Sequence, residues 1–124
     1  MKPAGALVSL VDDDKSVRES LPGLLKELGF SVDTFASATE FLASDDIQET
    51  KCLVLDVTMP VMTGPELQVE LTRRGQEIPI VYITAQRSST MRRRLIEQGA
   101  VECLSKPFSD RALQEALHLA LCKV

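Results

Sequence analysis

The chain has 124 residues, with 14 Lys and Arg against 18 Asp and Glu, and a net charge of −4 at pH 7. That length suits one domain with a real core, because a domain of this size buries roughly two thirds of its extended-chain surface. The acidic balance excludes a surface built mainly to coat nucleic-acid phosphates, so no direct nucleic-acid binding is expected.

The three cysteines, Cys52, Cys103 and Cys122, are far apart and form no Cys-x-x-Cys pair. Neither a disulfide framework nor a zinc site is suggested, and a reducing cytoplasm is the expected setting. No basic segment and apolar core open the chain as a signal would, and no apolar run approaches the roughly 18 residues that span a bilayer. No membrane partner is expected.

Taken in chain order, residues 6–11 form a short apolar run that ends in Asp12, Asp13 and Asp14. A helical spacing follows in Val17, Leu21, Leu24, Leu25 and Leu28, closed by Gly29. Residues 31–36, SVDTFA, alternate more and read as an edge strand; Phe41 and Leu42 mark a short helix. The runs 52–55, 80–83 and 101–104 resemble the first run, and between them lie helices marked by Leu67 and Leu71, then by Met91, Leu95 and Ile96. Gly75 and Gly99 close those two helices, and Leu113, Leu117 and Leu121 carry a last one almost to Val124. Short continuous apolar runs are what parallel strands covered on both faces require, so all four read as central strands. Glycine after a helix supplies the left-handed residue that commonly ends one. Five strand–helix units with right-handed crossovers predict an α/β fold with an open, doubly wound parallel sheet. Without a repeat or linker, one domain over residues 1–124 is expected, with no effector domain.

Such sheets place ligands beyond the carboxyl ends of their strands. There the sequence offers Asp12 and Asp13 after the first strand, Asp56 after the third, Thr84 after the fourth, and Ser105 and Lys106 after the fifth. Clustered carboxylates repel unless a cation neutralises them, and an all-oxygen set without histidine favours Mg²⁺, or Mn²⁺ in its place. A lysine and a hydroxyl beside such a metal suit phosphoryl transfer, in which positioning and charge neutralisation supply most of the catalysis. Asp56, the single acid closing a buried strand, is the expected nucleophile; Asp12 and Asp13 are expected metal ligands, and Asp14 a helix N-cap.

The segments VDDD, LDVTMPVMTG, ITA and LSKPF, in this order and spacing, resemble the receiver domains of two-component response regulators. VDDDKSVRESL with GFSVDTFASATEFL further resembles receivers of the FixJ type. The resemblance covers essentially the whole chain and implies strand order 2-1-3-4-5. It implies Mg²⁺ at Asp12, Asp13, Asp56 and the main-chain carbonyl of Thr58, and an acyl phosphate on Asp56 donated by a histidine kinase. It also implies phosphoryl contacts from Thr84 and Lys106 and a cis peptide before Pro107. Such a module catalyses only its own phosphorylation and slow dephosphorylation and is otherwise no enzyme. Thr58 and Gln86, each two residues past a site residue, are expected to tune dephosphorylation. Cys103 stands three residues before the lysine, where the family usually carries a switching aromatic.

Other functions meet specific obstacles. A haloacid-dehalogenase type of hydrolase needs a second Asp two residues after the nucleophile, where Thr58 stands. A flavodoxin-like carrier needs a hydroxyl- and Gly-rich first loop, where DDDKS would repel a phosphate. A phosphorylation-independent scaffold is separated only by a phosphorylation assay. His118, the only histidine, is expected to play no part. Finally, Met91, Leu95 and Ile96 turn inward and direct Arg93 outward, with Arg92 and Arg94 on the flanks. With Glu102 and Asp110 on the same side, this mixed-sign face suits a phosphorylation-induced homodimer.

Overall fold

In the computed structural model, residues 5–122 are described; residues 1–4 and 123–124, which belong to the expected domain, lie outside the described residues. The elements in order are β1 (Leu7–Val11), α1 (Lys15–Glu27), β2 (Ser31–Phe35), α2 (Ala38–Leu42), β3 (Thr50–Asp56), α3 (Gly64–Arg73), β4 (Ile80–Thr84), α4 (Ser89–Glu97), β5 (Glu102–Ser105) and α5 (Asp110–Cys122). A short 3₁₀ turn, Asp45–Gln48, precedes β3. All strand pairings are parallel, in the order β2-β1-β3-β4-β5.

One expectation needs correcting. The apolar run 101–104 by itself reads as a central strand, but among the described residues β5 pairs only with β4 and is the second edge of the sheet, the place that the order 2-1-3-4-5 implied by the resemblance gives it. Its residues are correspondingly less buried, with Cys103 alone fully inside, while all five residues of β4 are buried. Val101 precedes the strand and packs on the core from the loop, which explains the apolar run without a central position.

The sheet separates two cores because successive side chains point to opposite faces. Val11, Leu53, Leu55, Tyr82 and Cys103 face α2, α3 and α4 with Leu67, Leu71 and Leu95; Val8, Leu10, Cys52, Val54, Val81 and Ile83 face α1 and α5 with Leu21, Leu25, Leu113 and Leu117. Burying a Leu or Val side chain contributes about 1.5–3 kcal/mol, so this double coverage fixes the register of the central strands. α1 is capped by Asp14, whose side chain accepts from the Ser16 amide at 2.9 Å. α3 opens with a reciprocal cap in which Thr63 and Glu66 each accept the other's amide.

Candidate functional site

Parallel β1, β3, β4 and β5 deliver their last residues to one rim. Asp12 follows β1, Asp56 and Thr84 end β3 and β4, and Ser105 ends β5 with Lys106 just beyond. The shared cleft is lined by Asp13, Asp14, Asp56, Thr58, Thr84, Ala85, Gln86 and Lys106. Carboxylate oxygens of Asp12, Asp13 and Asp56 all lie within 4.8 Å of one another.

Each side chain is held by a local device. Asp12 is fully buried; its Oδ1 accepts the Asp14 amide at 2.9 Å, and its Oδ2 meets Lys106 Nζ at 3.0 Å. Arg18 of α1 donates to the Asp12 carbonyl at 2.8 Å, tying the loop to the helix. The Lys106 amide donates to the Thr84 carbonyl at 2.7 Å, and the Lys106–Pro107 peptide is cis. Thr84 Oγ1 accepts the Gln86 amide at 3.1 Å, and Ser105 donates to the Gln86 carbonyl at 3.2 Å, so the loop after β4 is pinned to the end of β5.

Asp56 is buried, and that burial, with the neighbouring Asp12 charge, pushes its carboxyl up to about 7, with Lys106 opposing. The site therefore holds negative charge under strain that Lys106 only partly relieves. A hard cation with oxygen ligands fits this donor set, and Asp13 at the exposed rim leaves it access.

Beneath the cleft, α3 starts against the end of β3. The Gly64 amide donates to the Val57 carbonyl at 2.9 Å. A Cβ on Gly64 would collide with the Asp56 carbonyl oxygen and come within 2.9 Å of the Tyr82 ring, so only glycine permits this approach. Before α3 the loop contains Val61, almost fully exposed and in the left-handed region at φ 69°.

Two arrangements escaped the sequence. Tyr82, two residues before Thr84, is fully buried beside Cys103, its register partner on β5. Its hydroxyl donates to Gln68 Oε1 at 2.6 Å, and Gln68 Nε2 donates to the Gln98 carbonyl at the end of α4 at 3.1 Å. A polar thread thus joins β4, α3 and α4 below the cleft. Tyr82 in an otherwise apolar strand was the available signal, because a buried tyrosine hydroxyl usually finds a partner. Burial pushes both the Tyr82 hydroxyl and the Cys103 thiol up.

The second arrangement concerns the arginines of α4. Arg92, Arg93 and Arg94 are all exposed, but Arg92 already pairs with Glu102 of its own chain at 2.7 Å. Asp110 is exposed at the start of α5. These residues stand apart from the cleft, as does His118 on α5.

Comparison with known proteins gives a consistent result. Residues 8–118 match the model of the response regulator receiver domain. Nodulation protein W of Bradyrhizobium diazoefficiens is 44% identical over 112 residues, covering 90% of this chain and 49% of that protein. The response regulator protein TodT of Pseudomonas putida is 36% identical over 121 residues, covering 98% of this chain and 53% of that protein. This chain thus spans about half the length of the curated relatives it matches. Among solved structures, the response regulator StyR superposes with a TM-score of 0.84 at 47% identity, over 93% of this chain and 58% of that one. FixJ-N superposes with a TM-score of 0.85 at 34% identity, over 100% of this chain and 98% of that one. The chain belongs to the response regulator receiver domains of two-component systems, FixJ-like in kind, and serves phosphorylation-dependent signalling.

Proposed function

We propose that Asp56 is the phosphoacceptor of this receiver and that a histidine kinase is its donor. The observation carrying this reading is the position of Asp56: it is the buried acid at the end of the central strand β3, within 4.8 Å of Asp12 and Asp13 and in one cleft with Lys106. Asp12, Asp13, Asp56 and the Thr58 carbonyl would hold Mg²⁺. The ion, when bound, supplies the positive charge that phosphoryl oxygens and clustered carboxylates require.

The chain's own residues divide the remaining work. The Asp56 carboxylate attacks phosphorus and leaves the donor imidazole with the P–N bond electrons. Lys106 and Thr84 contact the transferred phosphoryl oxygens. Thr58 and Gln86, at the exposed mouth of the cleft, govern the water that later hydrolyses the acyl phosphate. Beyond its own phosphorylation and slow dephosphorylation the chain has no substrate, acts as a single receiver domain, and works in the cytoplasm.

Output runs through the face of α4 and β5. Because Arg92 is occupied by Glu102, a phosphorylation-induced homodimer would use Arg93, Arg94 and Asp110 and share the Arg92–Glu102 pair across the two-fold axis. Exposed ion pairs contribute about 0–1 kcal/mol each, so affinity is weak and salt-sensitive until phosphorylation adds to it.

Intact mass after treatment with acetyl phosphate and Mg²⁺ tests the central claim. A gain of one phosphoryl group is expected in the wild type and none in Asp56→Asn. A gain that survives the substitution places the acceptor elsewhere, and no gain in the wild type supports the scaffold reading. Gln86→Ala is expected to change the decay of the phosphorylated form while leaving its formation intact. For the dimer, sedimentation with beryllofluoride should give dimers in the wild type and monomers in Arg93→Glu.

A further inference from the structure

Gln68 of α3 stands between a buried phenol and the end of α4. The Tyr82 hydroxyl donates to its Oε1 at 2.6 Å, and its Nε2 donates to the Gln98 carbonyl at 3.1 Å. Gln98 caps the C-terminal end of α4, where the final carbonyls have no amide of their own helix to accept. A carbonyl can only accept, so Gln68 must present its nitrogen to Gln98 and its oxygen to Tyr82, and the phenol must donate. Every proton in the thread has one place.

Packing does little to join the two helices here. Gln68 and Gln98 both line two hollows, of about 430 Å³ and about 710 Å³, so their hydrogen bond bridges open space. α4 is also lightly seated: Leu95 is its one buried residue, against three in α3 and four in α5. A helix so held owes its position to polar contacts. At the other end of the thread, the Tyr82 ring and the Asp56 carbonyl both crowd the Gly64 backbone, so the ring lies against the floor of the cleft. Both ends of α4 therefore connect to the cleft, one through the pinned loop after Thr84 and one through Gln68 and Tyr82.

We infer that Gln68 is a positioning residue, set by the Tyr82 hydroxyl, that latches the end of α4 to α3 and opposes the movement of α4 when the cleft is loaded. This rests on the reading of Asp56 as the phosphoacceptor. The latch belongs to the arrangement with a free Asp56, and a contact made in one arrangement only shifts the balance away from the other. By reciprocity, breaking it raises the affinity of the cleft for a phosphoryl mimic by the factor that it favours the moved helix. One hydrogen bond accounts for roughly a two- to tenfold factor.

Three variants separate the latch from general stability. Gln68→Glu keeps an acceptor for Tyr82 but sets a carboxylate against the Gln98 carbonyl, so it frees α4 alone. Tyr82→Phe removes the hydroxyl that orients the amide. Tyr82→Phe combined with Gln68→Leu removes both partners and leaves no buried hydroxyl unpaired, so its urea midpoint should stay near that of the wild type. In all three, amide exchange followed by NMR should quicken roughly two- to tenfold in the last turn of α4 and stay unchanged in α5. The dissociation constant for beryllofluoride with Mg²⁺ should fall by a similar factor. Unchanged protection of α4 would mean that packing holds the helix and would overturn the latch. Faster exchange in α4 and α5 alike would also overturn it, reducing Tyr82 and Gln68 to general stabilisers. Equal beryllofluoride affinity in all forms would overturn the coupling alone, whereas no binding by the wild type would overturn it together with the reading of Asp56.

Discussion

The cleft and the β2 edge of the sheet both gather carboxylates, and they treat them differently. In the cleft Asp12, Asp13 and Asp56 converge from two strand ends, with Asp12 and Asp56 buried and Lys106 at 3.0 Å from Asp12. At the β2 edge, Asp46 in the turn before β3 shares a hydrogen bond with Asp33 near Asp45 and Glu49, which pushes its carboxyl up to about 6. Asp33, Asp45 and Glu49 are exposed. Repulsion alone therefore does not distinguish a functional cluster, since both raise a carboxyl. What distinguishes the cleft is burial that water cannot relieve, a lysine built into the arrangement, and strand ends that hold the charges in place.

The strongest way to break that contrast is to remove the lysine. Lys106→Met leaves the buried Asp12 carboxylate without its partner, and losing one member of a buried pair costs about 3–5 kcal/mol. Urea unfolding should show a loss of about 3 kcal/mol, with Lys106 being partly solvated, while Asp33→Asn at the β2 edge should cost nothing or stabilise. Equal losses at the two places would erase the distinction.

Dependence on pH sharpens the contrast further. Asp56 titrates near 3.8 when unfolded and at about 7 when folded, so between these values the native state holds a proton that the unfolded chain has lost. The contribution of Asp56 to stability is therefore full below its unfolded value and is lost as pH rises toward and through 7. Asp56→Asn removes that loss and should gain roughly 2–4 kcal/mol at pH 8 without Mg²⁺, and nothing at pH 4. Mg²⁺ in tenfold excess over its dissociation constant should stabilise the wild type by about 1.4 kcal/mol, read as a shift in Tm, and should do much less for Asp13→Asn. Asp46→Asn should also gain stability above pH 6, but by an amount indifferent to Mg²⁺. A magnesium-sensitive gain at Asp46 would contradict the assignment of the ion to the cleft.

The smallest effect concerns the backbone. Among the described residues, Val61 on the cleft side is the only non-glycine residue at positive φ, and a β-branched side chain there is strained. Val61→Gly should raise stability by about 0.5–1 kcal/mol in the same denaturation assay, since its exposed side chain contributes little packing. No gain would mean that the loop is relaxed as it stands.

Much of this was legible because the rule linking strand ends to ligands needs only the order of elements. Asp12, Asp56, Thr84 and Lys106 each follow a short apolar run, so their convergence follows from parallel strands. The apolarity of Val101 and Leu104 taken alone points to a central strand, whereas their partial burial comes from packing with the α1 and α5 core and not from a second neighbouring strand, and only the order 2-1-3-4-5 puts β5 at the edge. α1 survives Pro22 inside it, since Leu21 and Leu25 anchor the helix to the core more strongly than one missing amide weakens it. Contacts between distant side chains were not legible. Nothing in the spacing joins Tyr82 to Gln68, or commits Arg92 to Glu102, because such pairings depend on how helices pack over the sheet.

Tyr82 is the only tyrosine, and the chain has no tryptophan. Its ultraviolet emission therefore comes almost entirely from one phenol ring, lodged between the floor of the cleft and the end of α4. The hydrogen bond to Gln68 and the adjacent Cys103 sulfur both govern how brightly that ring emits. The protein thus carries its own optical gauge at the centre of the molecule, readable without any label, and a change in its brightness on adding beryllofluoride marks a rearrangement at the seam of β4, β5 and α3.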